Sequence, residues 1–401
     1  MSKRVFVTGL GIISAIGHTI PDTLAALRLG RTGIGKISYL DTLHKNDLLV
    51  GEVKYSNEEL LRMTGVLDHI PYTRTALLGM LAAKSALQDA GIEDVKAMRT
   101  GLISATSVGG MDKGEQFYAD FIKNNSRGRL KNIVTHDCGD STENMADYLG
   151  IKDYISTIST ACSSSANAIM FGARLIKNNL LDRVIVGGTD ALTKFTLNGF
   201  NTLMILDKNE CKPFDENRKG LNLGEGAGFI VIESEKAVNA SGKKVLGELT
   251  GYANANDAYH QTASSPEGHG AYLAMKQTLE MSGLDTSAIS YINAHGTGTP
   301  NNDLSEGRAI EKIFASGLPK ISSTKAFTGH TLGACGGIEA IFALLAINHD
   351  IVMPNLNFST QMKELNFTPV TELLTEAGIR HVMSNSLGFG GNCSSLLFSK
   401  V

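Results

Sequence analysis

One cysteine and two histidines carry the reactive chemistry that this sequence offers. Cys162 sits in Ile158-Ser159-Thr160-Ala161-Cys162-Ser163-Ser164-Ser165-Ala166, a run of small residues around a single thiol. A β-prone run, Tyr154 to Ile158, precedes it, and apolar residues at helical spacing follow from Ala166 to Asn178. This predicts a tight turn between a buried strand and a buried helix, where free N–H groups and the helix dipole favour the thiolate. A buried structural cysteine is an equally ordinary fate for such a residue, and the stretch alone does not separate the two readings. His295, in Asn293-Ala294-His295-Gly296-Thr297-Gly298-Thr299-Pro300, and His330, in Ser322-Ser323-Thr324-Lys325-Ala326-Phe327-Thr328-Gly329-His330, each follow a strand-like run among glycines and hydroxyls. A lone histidine is more often a hydrogen-bonded structural residue, but a thiol with two such imidazoles and a lysine suits carbon–carbon bond formation on thioesters. The thiolate takes an acyl group, N–H donors hold the oxyanion, and neutral imidazoles donate hydrogen bonds to the enolate of a decarboxylating partner. A hydrolase needs only one histidine, usually oriented by Asn or Asp.

The elements that must position these groups follow from the hydrophobic pattern. Strands are expected at Arg4 to Thr8, Thr100 to Ser104, Arg183 to Gly187 and Gly226 to Glu233, with a helix from Tyr72 to Ala90. The second half is built in the same manner, with strands at Val245 to Tyr252, Ile289 to Asn293, Lys320 to Ser323, Val382 to Ser386 and Ser394 to Phe398. Helices are expected at Tyr272 to Met281, Asn302 to Phe314 and Gly333 to Ile347. This order predicts an α/β protein of two similar halves with mixed sheets and buried central helices, 1–240 carrying Cys162 and 241–401 carrying His295, Lys325 and His330. The seam is expected within Lys236 to Gly242. Gly9-Leu10-Gly11-Ile12-Ile13-Ser14 reads as a turn; Ser14 stands where a dinucleotide fingerprint needs its last glycine, so a core strand with a close-packed turn is preferred.

Composition narrows the class. A net charge of -3 over 401 residues points to neither a nucleic-acid stripe nor an acidic tail, and the run Lys123 to Lys131 reads as a solvated basic face. The N-terminus from Met1 lacks the uninterrupted apolar segment of a signal peptide, and no stretch reads as long and apolar enough to span a bilayer, so a cytoplasmic protein is expected. Five cysteines, Cys138, Cys162, Cys211, Cys335 and Cys393, form no C-x-x-C pair, which supports neither a zinc site nor a disulfide framework.

Taken together, the motifs resemble the β-ketoacyl-[acyl carrier protein] synthases of the thiolase superfamily. The likeness runs from Val5-Phe6-Val7-Thr8-Gly9-Leu10-Gly11 to Gly388-Phe389-Gly390-Gly391. It includes Thr160 to Ser164, Pro213-Phe214-Asp215, Gly224-Glu225-Gly226-Ala227-Gly228 and the two histidine motifs. The resemblance implies a layered αβαβα fold and decarboxylative condensation of a Cys162-bound acyl group with malonyl-acyl carrier protein. His295 and His330 would bind the malonyl thioester carbonyl, and Lys325, with Glu339 as ionic partner, would tune them. Backbone N–H groups of Cys162 and Phe389 would form the oxyanion hole, with Phe389 as gate. Thr297 and Thr299 would bind the phosphopantetheine arm, and Val108 and Phe200 would line the acyl pocket. The implied partners are acyl carrier protein and a second subunit, a homodimer with the strand before Cys162 near its two-fold axis, or a heterodimer with a noncatalytic chain-length partner. No metal or organic cofactor is implied. The chain departs from the family at Asn392-Cys393, where Thr-Asn is usual; Cys393 is expected to pack rather than react.

Overall fold

A computed structural model describes residues 3–67 and 70–401. Met1 and Ser2, at the start of the N-terminal stretch, lie outside the described residues. Ten strands carry the architecture: β1 Val5–Ser14, β2 Thr100–Ala105, β3 Tyr154–Ile158, β4 Arg183–Asp190, β5 Gly226–Ser234, β6 Gly247–Asn256, β7 Tyr291–Asn293, β8 Lys320–Ser322, β9 His381–Leu387 and β10 Asn392–Ser399. They form one sheet in the order β8-β7-β9-β10-β6-β1-β5-β4-β2-β3. The first five strands therefore lie in the order 3-2-4-5-1, and the last five repeat it.

The directions repeat as well. In each half the first strand pairs antiparallel with the fifth and the fifth antiparallel with the fourth, while fourth, second and third run parallel. Within the sheet the halves join where β1 runs antiparallel to β6, with Phe6 opposite Glu248 and Val7 opposite Gly247. The chain crosses between them through a helix, Glu235–Ser241, which Gly242 ends in the left-handed region.

Eight helices matter for the site: α1 Arg74–Asp89, α2 Met111–Phe121, α3 Cys138–Leu149, α4 Ser164–Lys177, α5 Lys194–Thr202, α6 His269–Ser282, α7 Pro300–Ile313 and α8 Cys335–His349. α1 packs outside β1 and β5, and α6 outside β6 and β10; α4 and α8 lie between the halves, with α8 touching both β5 and β9. Hence the layers run helix, sheet, helix, sheet, helix. Every residue of α8 from Cys335 to Ile347 is buried, because both of its faces meet a sheet. That explains a correction to the sequence reading. The 18-residue stretch Leu332–His349 is long and apolar enough to cross a membrane, yet 89% of it is inside this fold.

Two other expectations fail for clear reasons. Gly9 to Ser14 is no turn but the continuation of β1. A Cβ on Gly9 would lie 2.3 Å from the Ala86 carbonyl oxygen, and one on Gly11 2.0 Å from that of Ala82, so these glycines let α1 rest directly on the strand. The strand before Cys162 is not buried: β3 is the sheet's outer strand, and Ile155 is 42% exposed. The polar stretch after Gly110 conceals α2, and α3 lies beyond it. Between them Lys123, Arg127, Arg129 and Lys131 are exposed, as a solvated basic face would be.

Candidate active site

β3 delivers the chain to Cys162 and α4 leads it away. Between them Ala161 has φ of +54°, a left-handed conformation that is uncommon for a residue with a side chain and makes the bend sharp. Ser164 holds the bend, accepting from the Thr160 N–H at 2.8 Å and donating to the Ala161 carbonyl at 2.5 Å. Cys162 itself is 6% exposed.

His295 follows β7, and its loop is fixed from below by α7. Glu306 accepts the N–H groups of His295 and Gly296 at 2.9 and 2.8 Å, while Asp303 takes those of Thr297 and Phe214. His330 follows β8, its N–H held by the Asn222 carbonyl at 2.7 Å. From these distant origins the Cys162 sulfur and one ring nitrogen of each histidine come within 4.8 Å of one another. The rings meet edge to face with centroids 5.3 Å apart.

Hydrogen bonds fix the protonation of both rings. The Leu332 N–H donates to His330 Nδ1 at 3.0 Å, and the Lys325 ammonium lies 3.1 Å from His295 Nδ1. An Nδ1 that accepts leaves the proton of a neutral ring on Nε2. Burial, then the charge of Lys325, pushes His330 down to about 3, and burial, Lys325 and His330 hold His295 well below its ordinary range. Both are thus neutral Nε2–H donors.

Lys325 is itself paired with Glu339, Nζ to Oε1 2.5 Å, both buried. Burial opposes the lysine's charge, but Glu339 and its neighbours outweigh that and hold it above its ordinary range; burial pushes Glu339 up to about 7 against the pull of Lys325. The lysine stays charged, since its ammonium has two acceptors, Glu339 and His295, around it.

The thiol departs from the sequence expectation. Burial pushes Cys162 up to about 11, against the lowering effects of Lys325 and the Phe389 N–H. The end of α4 does not overcome the loss of water, so the resting form is the neutral thiol. The N–H groups of Phe389 and of Cys162 favour the thiolate, but less than burial opposes it.

Two cavities meet at Cys162. One, of about 300 Å³, is lined by His295, His330, Thr297 and Thr299, the two threonine hydroxyls being 2.8 Å apart. The other, of about 420 Å³, is mostly apolar and lined by Val108, Phe195, Gly199, Leu203 and Leu332. Phe200 and Phe389 border both and stack with centroids 5.7 Å apart and planes 16° from parallel. Cys162, His295, His330, Thr297, Thr299, Val108, Phe200 and Phe389 thus line these cavities, while Lys325 and Glu339 stand behind His295. Cys393 instead packs in the apolar cluster with Ala271 and Met275. A cation bound to the Cys162 and histidine donors would face the Lys325 ammonium across one imidazole, which disfavours a metal there.

Sequence reasoning missed several residues that hold the site. Asp190 at the end of β4 accepts from the Thr106 hydroxyl, the Ser107 and Val108 N–H groups and the Gly333 N–H, joining the loop of Val108 to the loop before α8. Glu306 and Asp303 could have been suspected, since α7 places both acids one turn apart on its inner face. Cys335 donates its thiol to the Cys162 carbonyl at 3.0 Å, which nothing in the sequence signals.

Residues 2–237 match the family model for the beta-ketoacyl synthase N-terminal domain, and residues 246–359 that for the C-terminal domain. The chain is 36% identical over 416 aligned positions to 3-oxoacyl-[acyl-carrier-protein] synthase 2 of Staphylococcus aureus, covering 100% of this chain and 99% of that one. Among solved structures it superposes on the ishigamide ketosynthase/chain length factor with a TM-score of 0.94 at 28% identity, covering 100% of both chains. A ketosynthase in complex with its chain length factor from Xenorhabdus doucetiae gives 0.87 at 30%, covering 100% of this chain and 98% of that one.

Proposed function

The chain belongs to the β-ketoacyl synthase family, and from that membership we propose that it condenses a Cys162-bound acyl group with malonyl-acyl carrier protein, releasing carbon dioxide and 3-oxoacyl-acyl carrier protein. The observation that carries this reading is the meeting of the Cys162 sulfur with a ring nitrogen of each of two buried histidines whose Nδ1 atoms face donors.

In the first half-reaction Cys162 Sγ adds to the thioester carbonyl of the incoming acyl carrier, and the Cys162 and Phe389 N–H groups stabilise the oxyanion. The carrier's thiolate departs and takes up the proton that Cys162 releases. The acyl chain lies in the cavity beside Val108 and Phe200. In the second half-reaction the malonyl thioester carbonyl accepts hydrogen bonds from His295 and His330, the carboxylate leaves as carbon dioxide, and the enolate carbon attacks the acyl-cysteine. Collapse of that tetrahedral adduct frees Cys162, which recovers a proton. Lys325 keeps His295 neutral and its donor aimed into the site, Glu339 keeps Lys325 charged, and Thr297 and Thr299 bind the phosphopantetheine arm. The reaction calls for no metal or organic cofactor, since the electrophile arrives on its carrier.

The exposed outer edge of β3 supports a two-subunit assembly in which that edge meets a partner. Similarity to ketosynthases solved with chain length factors favours, as a second reading, a heterodimer in which this chain is the acylated half, because it has Cys162. Five free cysteines suit a reducing cytoplasm. Mass spectrometry after incubation with acyl carrier protein tests the assignment. Acyl mass on Cys162, followed by malonyl-dependent carbon dioxide release, is expected, and Cys162→Ala abolishes both. Free acid without condensation would make the protein a hydrolase instead.

A further inference from the structure

We propose that Asn392 is a positioning residue that ties the loop carrying Phe389 to the turn carrying Cys162. Its side-chain oxygen accepts from Asn167 Nδ2 at 2.9 Å and Asn254 Nδ2 at 2.6 Å, and lies 2.6 Å from the Ser163 hydroxyl, whose single proton it shares with the Thr160 carbonyl at 2.7 Å. Ser163 is the residue after the nucleophile, Asn167 lies in the first turn of α4, and Asn254 lies on β6. The amide of Asn254 is held with its nitrogen toward Asn392, because that nitrogen also faces the Cys393 carbonyl.

The backbone of Asn392 closes the loop. Its carbonyl accepts the Gly388 N–H at 2.8 Å, so residues 388–391 are pinched at their base. That base rests on the nucleophile turn: a Cβ on Gly388 would lie 3.1 Å from the Thr160 carbonyl oxygen and 3.2 Å from the Cys162 nitrogen. The tip differs. Gly390 has φ of +78° and open space where a Cβ would stand. The tip is tied separately, its Gly390 N–H donating to the Gln261 carbonyl at 2.7 Å, so parting Phe389 from Phe200 breaks that bond while Asn392 keeps the Cys162 turn in place. Thr at this position would reach fewer of the three donors, having one hydroxyl and a shorter side chain.

The kinetic arm of the test rests on the condensing reading above; a fluorescence arm does not. The chain has no tryptophan, so Phe389→Trp places a sole tryptophan on the loop, excited selectively over the tyrosines. In that background Asn392→Ala is expected to raise acrylamide quenching about twofold, and Asn392→Asp, which keeps the acceptor, to leave it unchanged. In the otherwise native protein Asn392→Ala is expected to lower condensation about tenfold with little change in alkylation of Cys162 by iodoacetamide, and Asn392→Asp to recover most of the loss. The proposal is overturned if Asn392→Ala changes neither quenching nor condensation. It is equally overturned if Asn392→Asp is as impaired as Asn392→Ala, or if alkylation falls in parallel with turnover. Failure of the unaltered protein to condense would sink the proposed reaction, while quenching would still decide the role of Asn392.

Discussion

Lys325 places its ammonium 3.1 Å from His295 Nδ1 while holding Glu339 Oε1 at 2.5 Å, so one buried cation fixes a ring tautomer and is fixed in turn by a carboxylate. The pair separates catalysis from stability. Lys325→Met should lower condensation about a hundredfold by releasing the His295 donor, with a smaller effect on acylation of Cys162. It also strands Glu339, costing about 3–5 kcal/mol of stability in urea unfolding. Adding Glu339→Gln should restore most of the stability and none of the activity; recovery of activity in the double variant would refute the coupling.

The thiol and the imidazoles predict opposite pH behaviour. With Cys162 pushed up to about 11, iodoacetamide alkylation should climb close to tenfold per pH unit from neutrality and level off only near that value. A plateau near pH 8 would show that the end of α4 prevails over burial. For His330 the folded value, about 3, lies below the unfolded 6.5, so the unfolded chain binds the proton first. Its contribution to stability is fully present above pH 6.5 and is lost as pH falls toward 3. Ring NMR should accordingly show His295 and His330 as neutral Nε2–H tautomers at pH 5.5, with no acid limb of condensation near 6.5.

Val108 walls the 420 Å³ cavity, so it should set how long an acyl chain fits. Val108→Phe should shift preference toward shorter chains, each excluded methylene costing about 0.8 kcal/mol, roughly fourfold in kcat/KM. Competition among carrier-bound acyl chains of graded length measures this. An unshifted profile would mean that the chain runs elsewhere, toward an interface with a second subunit.

What could be read from the sequence was whatever declared itself through period or local chemistry. β3 and the strands around the histidines are legible within a few residues because their β-prone runs end at loops of small residues. The convergence of Cys162, His295 and His330 came from the family pattern, since no spacing rule joins residues more than 130 positions apart. Gly9 and Gly11 misled because a glycine signals a turn and a close helix contact with the same letter, and only α1 lying on β1 decides between them. The acidity of Cys162 was misjudged because a helix end is visible in sequence while the depth of burial is not. Asp190 escaped for a related reason: its four donors come from loops that meet only after folding.

Glu306 offers the sharpest test of that last kind of residue. Its two oxygens each take one backbone N–H, of His295 and of Gly296, and Asn385 Nδ2 adds a third bond at 3.1 Å to the first oxygen. In Glu306→Gln one carboxylate oxygen becomes a donor, which leaves one of the two N–H groups facing another N–H in a fully buried loop. That mismatch should cost about 1–3 kcal/mol of stability. Because the loop carries His295, a displacement of its ring by even a fraction of an ångström should lower condensation between about tenfold and a hundredfold while sparing acylation of Cys162. Partial-reaction kinetics distinguish the outcomes. Equal losses in both half-reactions would mean that Glu306 supports only the fold, whereas selective loss of the malonyl step, recovered in part by Glu306→Asp, assigns it the positioning of His295.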